Sequence, residues 1–246
     1  MVQTLPTVDA GSATSPKSLP ARIAGVIFAP RATYADVAAH PRWLATFLVV
    51  YLVSAAVATT FISTEVGRAA VVDQQITQAE SYGRQVDQAQ IDRLEAFSKY
   101  LVYVAPVIQL VALAGGGLLV AGLAFAIFNA LLGADASFKQ IFAVVVHSGV
   151  ILAALSLFST PLAYARQTLS STTNLLVFAP FLDDGSFPAR FLGSIDLIYI
   201  WWMVSLSIGL GVVYRRRTAP IATTVIAIYV VIGIVIAAIK TAAAGA

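Results

Sequence analysis

Two ionisable side chains, His147 and Asp196, fall inside long apolar stretches of this 246-residue chain. A charge in hydrocarbon is costly, so such groups either line a proton or ion pathway or are spent on helix contacts. A pathway needs the imidazole and the carboxylate close together and close to water. A structural role needs only local partners: a buried hydroxyl for His147 and the free amides of a helix start for Asp196. The residue types alone leave both readings open. Arg190, Lys99 and Tyr199 are further candidate partners of Asp196. Asn129 completes the candidate intramembrane polar set of Asp196, His147, Tyr199 and Asn129. An amide there suits helix joining, as do Gln109, Gln140 and Ser148, at about 1 kcal/mol or less per bond.

Other chemistry has no residues to run it. The chain has no Cys, which removes disulfides, thiolate nucleophiles and thiolate-bound metals. His40 and His147 are the only histidines. Ser148 directly follows His147, so on a helix it points away and the two do not form a nucleophile–base pair. Walker A, HExxH and dinucleotide-binding patterns are absent. Asp183-Asp184-Gly185 reads as a solvated turn. The chain is therefore expected to be no enzyme, to need no cofactor or metal, and to have no nucleic-acid partner.

The elements that carry these residues follow from composition. Hydrophobic residues make up 59% of the chain and charged residues 11%, against about 25% charged in a soluble domain. So few charges cannot cover a globular surface, and lipid must face much of it. Five apolar stretches are long enough to cross a bilayer: about Trp43 to Ile62, Tyr100 to Leu132, Phe138 to Phe158, Leu192 to Val213 and Ile221 to Ile239. The expected fold is all-α, a polytopic bundle of five transmembrane helices with an N-terminal interfacial helix. His147 then sits mid-way along the third span and Asp196 about one turn into the fourth, at depths that differ by several ångström, so direct contact requires tilt. The second stretch contains Pro106 and Gly115-Gly116-Gly117, which reads as a packing notch or as a hinge or pore-lining break.

Basic residues orient the spans. Arg215-Arg216-Arg217 lies in the tight turn before the last span, Lys139 begins the third, and Arg22, Arg31 and Arg42 precede the first. Five crossings put all of these on the cytoplasmic side. The chain is thus expected to be a multi-pass protein of the plasma (inner) membrane with its N-terminus cytoplasmic. Arg22, Arg31, Trp43, Arg215, Arg216 and Arg217 are the expected membrane-surface residues, the first three on an interfacial helix or helix-turn over Pro20–Arg42. Residues 1–19 are polar, without the apolar core of a signal peptide, and read as a disordered cytoplasmic tail. The first span would then serve as an uncleaved targeting signal. Residues 63–99 read as an external helical segment, and 174–188 as a re-entrant or interfacial one.

Several blocks resemble the prokaryotic branch of the YIP (Ypt-interacting protein) family. Arg22–Tyr34, with its Pro30-Arg31, is similar to the family's "sPr.tf" segment, and Pro41-Arg42-Trp43 to the "prW" before its first span. Ser137-Phe138-Lys139-Gln140 looks like its "sfkq". Leu192-Gly193-Ser194-Ile195-Asp196-Leu197, running on to Trp201, resembles "lg.lDlf.iW", and Gly209 stands where the family has a small residue. The resemblance spans about residues 22–240 and implies one five-span membrane domain over 20–240. It also implies a non-catalytic protein working through membrane partners or bilayer organisation; eukaryotic members are linked to Rab-type GTPases and vesicle traffic. The expected contacts are membrane lipids and either a membrane-protein partner or a second copy of the chain. The rival expectation is a small-molecule or ion transporter or channel using Asp196 and His147.

Overall fold

The computed structural model describes residues 15–131 and 133–244. Among these residues the chain is all-α, with one isolated β-bridge between Asn174 and Asp196. The helices are α1 (Leu19–Phe28), α2 (Pro30–Ala39), α3 (Leu44–Ser63), α4 (Glu65–Ser81), α5 (Gln88–Ser98), α6 (Leu101–Phe125), α7 (Phe138–Arg166), α8 (Phe187–Ser194), α9 (Leu197–Val213) and α10 (Thr218–Ala244). Helix α6 continues as a π-helix over Ala126–Leu131. Four of the helical segments are long and apolar enough to cross a membrane: those of α3, α6 with its extension, α7 and α10. Helix α9 is a shorter apolar helix of 17 residues, spanning about 25 Å.

Helix α7 is the axis of the bundle. Of its most apolar stretch 67% is buried, against 11% for α6. A helix enclosed on all sides is apolar all round, and Ile141, Val144 and Ile151 of α7 are each fully buried. Helices α3, α6 and α9 pack around it, and α10 packs on α9. Local signals place the ends. Ser137 and Gln140 form a reciprocal capping box at the start of α7. Helix α9 stops in a Schellman-type turn: Arg215 takes a left-handed φ of 51°, and Arg216 N–H returns to the Gly211 carbonyl at 2.9 Å.

Three sequence expectations change. The fourth span begins at Leu197, not Leu192, because the chain breaks at Ile195–Asp196 and residues 187–194 form the separate helix α8. The third runs on to Arg166. Residues 63–99 are helical as expected, in two helices separated at Gly83, whose φ is +73°. The triple glycine neither breaks α6 nor receives a neighbouring backbone: a Cβ at Gly115 or Gly116 would meet nothing within 4 Å.

The N-terminal segment is a helical hairpin, α1 and α2, packed against α7 and α9. Thr33, Tyr34 and Val37 are fully buried. Arg22, expected at the membrane surface, is 3% exposed. The reason is Asp36, whose carboxylate lies 2.7 Å from Arg22 Nε. Most of the expected 1–19 tail lies outside the described residues. Lys17 is described, and it is tied down: its backbone N–H donates to Asp36 at 3.0 Å and its Nζ to the Thr33 hydroxyl at 3.3 Å.

Candidate functional site

His147 is fully buried on the α7 face toward α3. Its Nδ1 lies 2.7 Å from the Ala143 carbonyl and its Nε2 2.9 Å from the Thr46 hydroxyl. A carbonyl only accepts, so Nδ1 carries the hydrogen; a neutral ring then accepts the Thr46 proton at Nε2. Both ring nitrogens are satisfied, and the imidazole joins α7 to α3.

Asp196 sits at the N-cap of α9 rather than inside it. One carboxylate oxygen accepts the Ile198 N–H at 2.8 Å; the other accepts the hydroxyls of Thr173, at 2.8 Å, and Ser171. The Asp196 N–H donates to the Tyr229 hydroxyl at 3.0 Å, and that hydroxyl donates to the Ser194 carbonyl at 2.8 Å. Asp196 therefore ties together the start of α9, the 171–173 segment and α10. Its partners are hydroxyls and amides; Arg190 and Lys99 form no ion pair with it among the described residues. Replacing Asp196 with alanine removes the cap and orphans two hydroxyls, an expected loss of about 1–2 kcal/mol. Asn retains an acceptor for the Ile198 amide, so Asp196→Asn should lose less than Asp196→Ala in a thermal melt of the purified protein.

The remaining candidates lie apart. Asn129, in the π-helical turn, donates to the Ala136 carbonyl at 2.8 Å and accepts from the Tyr214 hydroxyl at 2.9 Å. It closes the end of the bundle opposite Asp196. Tyr199 is half-exposed. Trp43 is partly buried, edge-on to Phe142 with ring centroids 5.0 Å apart. Arg31, Arg215, Arg216 and Arg217 are exposed, the last three following Tyr214, which bonds Asn129. His147 and Asp196 do not touch, and no continuous polar chain joins them.

One cavity of about 470 Å³ opens beside Asp196. Hydroxyls from Ser159, Thr160 and the 170–173 segment line its mouth, with Asp196 and Tyr199; Gln109 of α6 and Val50, Leu113 and Gly149 lie deeper. The volume suits a small-molecule site. His147 does not line it.

A protein-family comparison bears on this arrangement. The Yip1 domain model matches residues 24–239. The chain belongs to the Yip1 domain family. No curated protein and no solved structure gave a significant match. The Yip1 domain match takes in His147, Asp196, Asn129 and the whole cavity lining, while Lys17 and Arg22 lie before it.

Two polar clusters, the first reaching back before the matched residues, were not anticipated from the sequence. The first is the hairpin lock: Arg22 donates to the His40 carbonyl at 3.1 Å as well as to Asp36. Burial alone would raise the Asp36 carboxyl. The Lys17 backbone N–H, the Arg22 guanidinium and His40 outweigh burial and hold it below the usual carboxylate range. The available signal was that Asp36 is the only acid between residues 19 and 43. The second is Tyr34, whose hydroxyl lies 2.7 Å from Ser205 of α9 and is pushed upward in pKa by burial.

Proposed function

We propose that this Yip1 domain is a non-catalytic membrane protein of the prokaryotic type that acts through membrane partners and bilayer lipids. The observation that carries the reading is how the interior polar groups are used. His147, Asp196 and Asn129 each complete hydrogen bonds between helices or at helix ends. None is left over to pass a proton or an ion.

What the fold offers outward is apolar surface. Helix α6 exposes Tyr103, Val107, Val111 and Leu119 along its length. Such a face takes lipid, a second copy of the chain or a helix of another membrane protein. Arg31, Arg42, Lys139 and Arg215–Arg217 are all exposed near the α7 start and the α9–α10 turn. That clustering supports a plasma-membrane orientation with the N-terminal hairpin in the cytoplasm.

The 470 Å³ cavity beside Asp196 favours a second reading, a small-molecule or ion transporter with this cavity as its vestibule. No polar path leads on from it among the described residues: Asp196 is committed to α9 and His147 lies outside the cavity wall.

The experiment is extraction from native membrane into polymer-bounded nanodiscs, followed by mass spectrometry of what remains bound. A stoichiometric protein partner or a selectively enriched lipid is expected. Bulk lipid alone, together with a tightly held ion or metabolite, would move the function to transport.

A further inference from the structure

The cavity beside Asp196 does not end at Val50. A second, apolar space of about 220 Å³ shares Val50, Leu113, Gly149 and Leu152 with it and continues down the inner face of α6 to Gly116, Phe47 and Trp202. Together they form one slot between α6 and the α3–α7 core, polar at one end and apolar at the other. We propose that this slot binds a single-chain amphiphile with an uncharged, hydroxyl-bearing head group, of which a monoacylglycerol is the simplest example. The proposal deepens the lipid part of the proposed function and rests on it.

The division of the slot sets the chemistry. The apolar part takes an acyl chain, because a Cβ at Gly116 would meet nothing within 4 Å and the space is bounded by Phe47, Val146 and Trp202. In the polar part Gln109 lines the cavity eight residues into α6, about 12 Å from its start. Its amide has no protein hydrogen-bond partner among the described residues, so it is available both to donate to and to accept from an occupant. Ser159 and Thr160 add hydroxyls across the same mouth. The head group is uncharged because Asp196 lines the mouth. Its carboxylate already receives the Ile198 amide and two hydroxyls, so it does not require a cation, yet it repels an anion.

Trp202 reports on the apolar end. It is held by donation from its Nε1 to the Ser148 hydroxyl at 3.0 Å, and the chain has only two other tryptophans, Trp43 and Trp201. In the full chain carrying Trp43→Phe and Trp201→Phe, a monoacylglycerol brominated on its chain is titrated into phosphatidylcholine nanodiscs and Trp202 fluorescence is read. Saturable quenching is expected. Gly116→Leu, which fills the slot, should abolish the saturable part, and Ala112→Phe should do the same if the first variant melts early. Gln109→Leu should raise the half-saturating concentration about fivefold, the effect of one lost hydrogen bond. A brominated fatty acid, titrated at pH 9 where its carboxyl in the bilayer is anionic, should not saturate. Quenching that rises in proportion to bromolipid and ignores both slot-filling variants would overturn the site. Equal saturation by the fatty acid would overturn the head-group assignment. No protein partner is present in this assay, so either failure leaves partner binding in native membrane untouched.

Discussion

Replacing Arg22 with alanine is expected to destabilise the bundle by about 3–5 kcal/mol, the cost of leaving one member of a buried ion pair behind. The side chains of Arg22 and Asp36 are 4% and 12% exposed, so water replaces the guanidinium only in part, and the Lys17 N–H is the one strong partner left to Asp36 among the described residues. Arg22→Ala also frees the His40 carbonyl. The midpoint of a sodium dodecyl sulfate unfolding titration should fall accordingly. Lysine would not rescue it, because a single ammonium cannot reach Asp36 and the carbonyls of His40 and Arg42 with the spread of a guanidinium. An Arg22→Met, Asp36→Leu double variant should recover most of the loss, since an apolar pair leaves no stranded charge. The same lock gives a pH dependence of known sign. The folded Asp36 carboxyl is held below its ordinary value, so its contribution is complete at neutral pH and is lost as the pH falls through the folded value. The titration midpoint for wild type should drop in acid, while that of the double variant should move less.

The second large effect is expected at Gly209. A Cβ there would meet Val144 of α7 and stand 3.0 Å from Cδ1 of the Tyr34 ring. This glycine is what allows α2 to approach α9 closely enough for the Tyr34–Ser205 bond of 2.7 Å. Gly209→Val should cost at least about 1–3 kcal/mol from overpacking. It should also raise hydrogen exchange in α2 selectively. Gly122→Ala in α6 is the control: a Cβ there meets nothing within 4 Å, and the gain in helix propensity makes it neutral or stabilising.

These two sites show what a sequence of this kind conveys. The spanning stretches are legible because hydrocarbon imposes one rule, continuous apolarity, along the whole segment. The structural roles of His147 and Asp196 were also legible as one of two readings, since a cap and a hydroxyl partner are local. The Asp196 break itself was hidden, because Leu192–Val213 is apolar without interruption apart from one acid and three serines. What decides there is the tertiary anchor, Tyr229 bridging Asp196 and Ser194. Arg22 was misread for a similar reason. Counted with Arg31 and Arg42 it looks like a leaflet anchor; only the hairpin turn before Pro30 brings Asp36 across from it, 14 residues away in sequence. The triple glycine is divided: Gly117 faces Phe142 of α7, as a packing notch would, while Gly115 and Gly116 border open space on α6.

The central claim is that the polar side chains inside this Yip1 domain hold helices together and do not conduct. Proton flux into proteoliposomes, read with an enclosed pH-sensitive dye under an imposed potential, tests it most directly. The predicted result is flux equal to that of empty liposomes for wild type, His147→Ala and Asp196→Asn alike, with the two variants differing from wild type only in their melting temperatures. Flux well above background in wild type that disappears in either folded variant would contradict it.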